Sequence, residues 1–158
     1  MRVLAAGAAV LVVLFVAGLL PVEAARVESD SMVPTVAPGD QLLLEHAIGE
    51  LRRGDLVVLD DPDGSGSLVK RVVALGGDVF AIEDGLVVLN GVQAVEPYAD
   101  QSRIDGVYVG PLTVPAGQVY VLGDDRGNSV DSREFGPVPA ATVIGRVVLR
   151  LWPSPGRL

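Results

Sequence analysis

Ser67-Leu68-Val69-Lys70-Arg71-Val72-Val73-Ala74-Leu75 is the stretch on which the fold turns. Val and Leu dominate it, and it lies between two clusters of turn residues, Asp61 to Gly66 and Gly76-Gly77-Asp78. A short run of this composition between such breakers predicts a strand. Successive side chains of a strand point to opposite faces, so Leu68, Lys70 and Val72 share one face and Val69, Arg71 and Val73 the other. Both faces carry apolar residues, which predicts burial on both sides or a place in a curled sheet. Asp55–Leu59 reads the same way. Working outward, Gln41–Glu45, Val79–Glu83, Leu86–Leu89, Tyr120–Leu122 and Gly145–Trp152 are further predicted strands. Glu83-Asp84-Gly85 between two of them is a strong hairpin signal. Helical turns are predicted only at Pro139–Thr142 and Glu45–Gly49, and Asp100–Gly110 is the least regular stretch. The expected class is mostly β, an antiparallel curled sheet.

Composition narrows the chemistry. The 158 residues hold 12 cationic side chains, of which Lys70 is the only lysine, and His46 is the only histidine. Cysteine is absent. Thiol catalysis, disulfides, cysteine zinc sites, iron–sulfur clusters and multi-histidine metal centres are thereby excluded within one chain. A general base near neutral pH is then Lys70, His46, a carboxylate with a raised pKa or the terminal amine. Net charge is −8, and no basic cluster exceeds Arg52-Arg53. This argues against nucleic acid as a partner. The acidic Asp60-Asp61-x-Asp63-Gly64 lacks the rest of a calcium loop and reads as a solvated turn.

Val3 to Leu20 contains no polar side chain. As a helix it would span roughly 27 Å, close to the bilayer core. Arg2 precedes it, so the positive-inside rule puts residues 1–2 in the cytoplasm, 3–20 across the membrane and 21–158 outside. The run is longer than the apolar core of a cleaved signal, although Val22-Glu23-Ala24 would be a tolerable cleavage site.

Three polar segments stand out against the strands. Ser29-Asp30-Ser31-Met32-Val33-Pro34-Thr35 follows the apolar run by about ten residues. Lys70 sits in the strand quoted above, with Leu68 and Val72 beside it on its own face, where desolvation would favour the neutral amine. Gly123-Asp124-Asp125-Arg126-Gly127-Asn128-Ser129-Val130-Asp131-Ser132-Arg133 is a polar loop suited to ion pairs and Asx turns. Each alone has a plain structural reading: a capped turn, an edge lysine, a solvated loop.

Taken in order, these segments resemble the boxes of the type I signal peptidases, membrane-bound Ser–Lys proteases that remove secretory signal peptides. Gly39-Asp40, Gly77-Asp78, Asn90-Gly91, Glu96-Pro97-Tyr98 and Leu151-Trp152-Pro153 add to the match, which runs from about Val27 to the carboxyl end. The resemblance implies a signal-peptidase-like protease domain after one transmembrane helix, with at most a small cap at about 79–118. Ser31 falls at the nucleophile and Lys70 at the unprotonated base. Ser129 falls at the hydroxyl that orients this base. Ser29 and the Ser31 backbone N–H fall at the oxyanion hole. Asp131 and Arg133 match a structural ion pair, with Asp124 a structural carboxylate beside it. Met32, Pro34, Val36 and Val69 match positions that shape the substrate groove. No cofactor or metal is implied. The implied partners are signal peptides of exported preproteins and the lipid bilayer, with a monomeric enzyme on the outer face.

The chain departs from the family pattern at Asp30, where many members have Gly, and at Ala74, Gly76, Asp125 and Gly127. Asp30 is expected to face solvent rather than Lys70. His46 reads as an ordinary surface or half-buried residue, and Trp152-Pro153 as a packing plug. Two other readings keep the same dyad. One is a self-cleaving regulator of the SOS-repressor type, against which the apolar amino terminus speaks. The other is an inactive relative that binds extended peptides without cutting.

Overall fold

The computed structural model describes residues 22–46, 49–99 and 107–158. The expected membrane span at 3–20 lies outside these residues, and no helix among the described residues is long and apolar enough to cross a membrane. Among the described residues, eleven strands form two antiparallel sheets. They are β1 Val22–Arg26, β2 Gln41–Glu45, β3 Leu56–Asp60, β4 Ser67–Leu75, β5 Val79–Glu83, β6 Leu86–Leu89, β7 Val92–Gln93, β8 Val109–Thr113, β9 Gln118–Leu122, β10 Val138–Pro139 and β11 Val143–Trp152. A single-turn helix, α1 (Ser132–Phe135), and a 3-10 turn at Ala140–Thr142 complete the described elements.

The larger sheet has the order β1-β2-β11-β3-β4-β9-β10, and the smaller β7-β6-β5-β8. β2, β4, β5 and β6 fall where the side-chain pattern predicts them. β3 is displaced by one residue, while β9 and β11 begin two residues earlier than expected. Four strands are not legible in advance. β1 is a polar edge strand paired residue for residue with β2, so the Val22-Glu23-Ala24 segment lies within a ladder. β7 and β10 are two-residue pairings. β8 contains Gly110 and Pro111, which read as breakers; as an edge of the smaller sheet it tolerates a residue that cannot donate to a ladder.

Strand alternation distributes the apolar residues among three cores. On β3, Leu56 and Val58 join a cluster with Val27, Met32, Val36, Leu42 and Leu44, while Val57 and Leu59 face a second with Val72, Val119, Val121 and Val138. The third cluster lies between the sheets: Val73, Phe80, Ile82, Val87, Tyr120 and Leu122, with the rings of Phe80 and Tyr120 stacked at 4.0 Å. β4 contributes to both faces, as its unbroken apolar run requires.

One surface expectation needs correction, and the surface reading of His46 stands. Trp152 is 62% exposed and plugs nothing. His46 bridges Glu23 at 3.1 Å and the Ile144 carbonyl at 3.0 Å, tying the end of β2 to β1 and β11. Asp61 does close a solvated turn, accepting from Asp63 N and Ser65 Oγ.

Candidate active site

β4 carries Lys70 at its centre. Its side chain shares a face with Leu68 and Val72 and lies beside Val57, its partner on β3. Only 2% of Lys70 is exposed. Burial pushes its pKa below the ordinary amine value; the negative field of Asp131 opposes this, and Arg133 adds to it. Lys70 Nζ donates to Ser31 Oγ at 2.8 Å.

Ser31 is buried within a turn that packs Met32 and Val36 into the core beneath it. Its carbonyl accepts from Asp125 N at 3.0 Å, fixing it to the polar loop. Ser29 Oγ lies 3.3 Å from Ser31 Oγ. Asp30 is exposed. Ser29, Asp30, Ser31, Leu68, Lys70, Gly127–Val130 and Glu134 line a cleft of about 460 Å³. A larger cavity of about 810 Å³ shares none of these residues and lies over β4, β9 and β11 around Leu75 and Val143.

Of the predicted site residues, Ser29, Ser31, Lys70 and Ser129 are brought together. The expected bond from Ser129 to Lys70 is not made, however: Ser129 Oγ is buried without a hydrogen-bond partner. Met32 and Val36 are 1% and 0% exposed, so they form a floor under Ser31 rather than a groove wall. Val69 is half-buried against the same floor, and Pro34 is exposed.

Asp131 caps α1 and accepts from Gly123 N at 3.0 Å, while its carboxylate chelates Arg133. Arg133 also donates to the carbonyls of Arg126 and Ser129, so the pair holds both ends of the loop. Asp124 does not belong to this pair. Fully buried, it is held by Arg71 through Nε at 2.8 Å and Nη2 at 2.6 Å, and accepts from Thr35 Oγ1 at 2.5 Å.

Sequence reasoning assigned no role to Arg71, because a cation within an apolar strand gives no sign of which residue meets it. It likewise missed Arg126, whose side chain is 0% exposed and doubly bonded to Glu96 at 2.7 Å. Gly123 was missed as well. A Cβ there would stand 2.5 Å from the Ser31 carbonyl oxygen and closer still to Ser129 Oγ.

A hydroxyl bonded to a buried amine, with a second hydroxyl alongside, is an arrangement suited to acyl transfer. Comparison with known proteins agrees. The family described as signal peptidase, peptidase S26, matches residues 1–152. The chain belongs to the signal peptidase family. Signal peptidase I of Leptolyngbya laminosa is 38% identical over 83% of this chain and 69% of its own. The Bacillus caldolyticus enzyme is 37% identical over 80% and 78%. A crystal structure of a signal peptidase I from Enterococcus faecalis superposes with a TM-score of 0.55 at 30% identity, covering 63% of this chain and 98% of that one. The names of these relatives do not favour a self-cleaving regulator. The fold is therefore the signal peptidase sheet, and the chain a peptidase of that family.

Proposed function

We propose that this peptidase cleaves signal peptides from exported preproteins after small-x-small sites, with Ser31 as nucleophile and Lys70 as general base. The observation that carries this is the 2.8 Å bond between Ser31 Oγ and a lysine that is almost wholly buried. With Lys70 neutral, Ser31 Oγ attacks the scissile carbonyl carbon while its proton passes to Nζ. The Ser31 backbone N–H and Ser29 hydroxyl stabilise the resulting oxyanion, each worth roughly 3 kcal/mol of barrier. Lys70 then returns the proton to the departing amine. It next takes one from the water that hydrolyses the ester, releasing the signal peptide and restoring Ser31. Ser129 lines the same cleft with an unused hydroxyl, which suits it to accept from Lys70 and aim it. Asp131–Arg133 and Asp124 hold the loops that deliver these groups.

The substrate strand has a place to bind. β9 pairs with β4 only from Arg71 to Leu75, so β4 from Ser67 to Lys70 has a free edge beside the cleft. An extended peptide added there makes main-chain bonds, with alternate side chains entering shallow pockets over Leu68 and Val69. Residues 3–20 anchor the enzyme in the bilayer as a monomer, with the catalytic domain outside and β1 beginning just past the anchor. The second sheet, β5 to β8, is suited to be the small cap expected at about 79–118. Ser31→Ala and Lys70→Ala, assayed on a preprotein in detergent or lipid, lose turnover by at least about 10³-fold. Near wild-type turnover in either variant overturns the proposal.

A further inference from the structure

Just past β7 of the smaller sheet, the tripeptide Glu96-Pro97-Tyr98 reaches the catalytic loops. Glu96 takes Arg126 in two hydrogen bonds of 2.7 Å, with 2% of its own side chain exposed. Arg126 Nε in turn donates to the Gly123 carbonyl at 2.9 Å. Gly123 is wedged against the Ser31 carbonyl and the Ser129 side chain, so a displacement of its peptide reaches both. Tyr98 lies over the Arg71 guanidinium, 3.8 Å from ring centroid to carbon. Arg71 is the neighbour of Lys70 and holds Asp124, which accepts from Thr35 on the nucleophile turn. Two separate routes thus run from this tripeptide to the two halves of the dyad.

We infer that Glu96 and Tyr98 are positioning residues: as a clasp from the second sheet they set the alignment of Ser31, Lys70 and Ser129. The physical basis is that neither arginine is free to settle elsewhere. A fully buried guanidinium deprived of its carboxylate must move toward water or draw water inward. Arg126 can do either only by pulling on Gly123. Removing the Tyr98 ring takes a cation–π partner from Arg71 and opens its flank. Near-attack geometry responds steeply to such shifts.

This rests on the proposed Ser–Lys function, so the test has a readout independent of cleavage. The chain has one lysine, and protein carrying lysine labelled with 13C at its ε carbon therefore gives a single side-chain resonance. Full-length wild type, Glu96→Gln, Tyr98→Leu and Tyr98→Phe are compared in detergent micelles, below each melting temperature, by peptide cleavage and by titration of that resonance. Glu96→Gln and Tyr98→Leu lower kcat about 10-fold or more with KM changed less than about 2-fold. Their Lys70 titration midpoint moves up toward the ordinary amine value. Tyr98→Phe, which keeps the ring, recovers most of what Tyr98→Leu loses. If melting temperature falls while kcat and the Lys70 resonance stay as in wild type, the clasp is merely structural and the inference is overturned. If wild type cleaves no peptide, the proposed function fails, and the Lys70 resonance still decides the clasp. Should Glu96→Gln not fold, Tyr98→Leu removes no charge and carries the same comparison.

Discussion

Gly123→Ala tests how tightly the proposed nucleophile Ser31, the loop and the proposed base Lys70 are packed. The added Cβ would lie 2.5 Å from both Ser129 Cβ and the Ser31 carbonyl oxygen, and closer still to Ser129 Oγ. Comfortable separations are about 3.5–4.0 Å, so each contact is short by about 1 Å. Gly123 does not occupy the left-handed region, and the conflict is therefore one of space alone. A rotamer change at Ser129 would move its Oγ but not its Cβ. The Ser31 oxygen belongs to the backbone and is tied to Asp125 N at 3.0 Å. The two sides must separate, and with them the 2.8 Å contact between Ser31 and Lys70. A displacement of this size costs about 10²-fold in rate, or about 2.7 kcal/mol of barrier. Overpacking adds about 1–3 kcal/mol of destabilisation. Single-turnover cleavage of a small-x-small peptide in micelles, below the melting temperature, reads the rate term. Gly49→Ala serves as control, because nothing lies within 4 Å of its added methyl. Cleavage by Gly123→Ala within about 3-fold of wild type would refute the packing account, since the steep dependence of rate on position would then be absent.

Further outcomes follow from the same geometry. On the proposed mechanism neutral Lys70 is the working form, and burial lowers its pKa, so kcat/KM rises with pH to a midpoint below 10.5; a midpoint at or above that value contradicts the desolvation account. In the window between the folded and unfolded pKa values the unfolded chain holds the extra proton, and stability therefore rises with pH. Lys70→Met accordingly melts above wild type at neutral pH, and the gap narrows as pH approaches 10.5; a gap independent of pH would count against it. Asp131→Asn leaves a mostly buried Arg133 without its carboxylate and costs about 3–5 kcal/mol in denaturant unfolding. Arg146→Gln breaks only partly exposed pairs, with Glu45 and Asp55, and costs less than about 1 kcal/mol in the same assay. Equal losses in the two variants would show that burial of the ion pair is not what matters.

Much of the scaffold was legible along the chain because strands announce themselves locally. The nine residues from Ser67 to Leu75 carry their own alternation, and Asp84-Gly85 its own turn. β1 and β8 were illegible for the opposite reason. Val22–Arg26 is nearly devoid of large apolar residues, and Gly110-Pro111 interrupts β8; each becomes a strand because a neighbouring strand offers a free edge. At Met32 and Val36 the family resemblance implied a part in the substrate groove, and only the fold shows that the turn buries both side chains in the core.

By itself the sequence determined that only Lys70 or His46, apart from a tuned carboxylate or the terminal amine, could act as base, and that arginine could not replace the lysine. It also determined which face of β4 that lysine occupies, because backbone geometry sets the two-residue period. Tertiary structure alone decided which charges meet. Asp124 is 53 residues from Arg71, and Arg126 is 30 from Glu96. Over such separations a carboxylate chooses its cation by which strands lie side by side and which groups burial leaves without water, and neither is written locally.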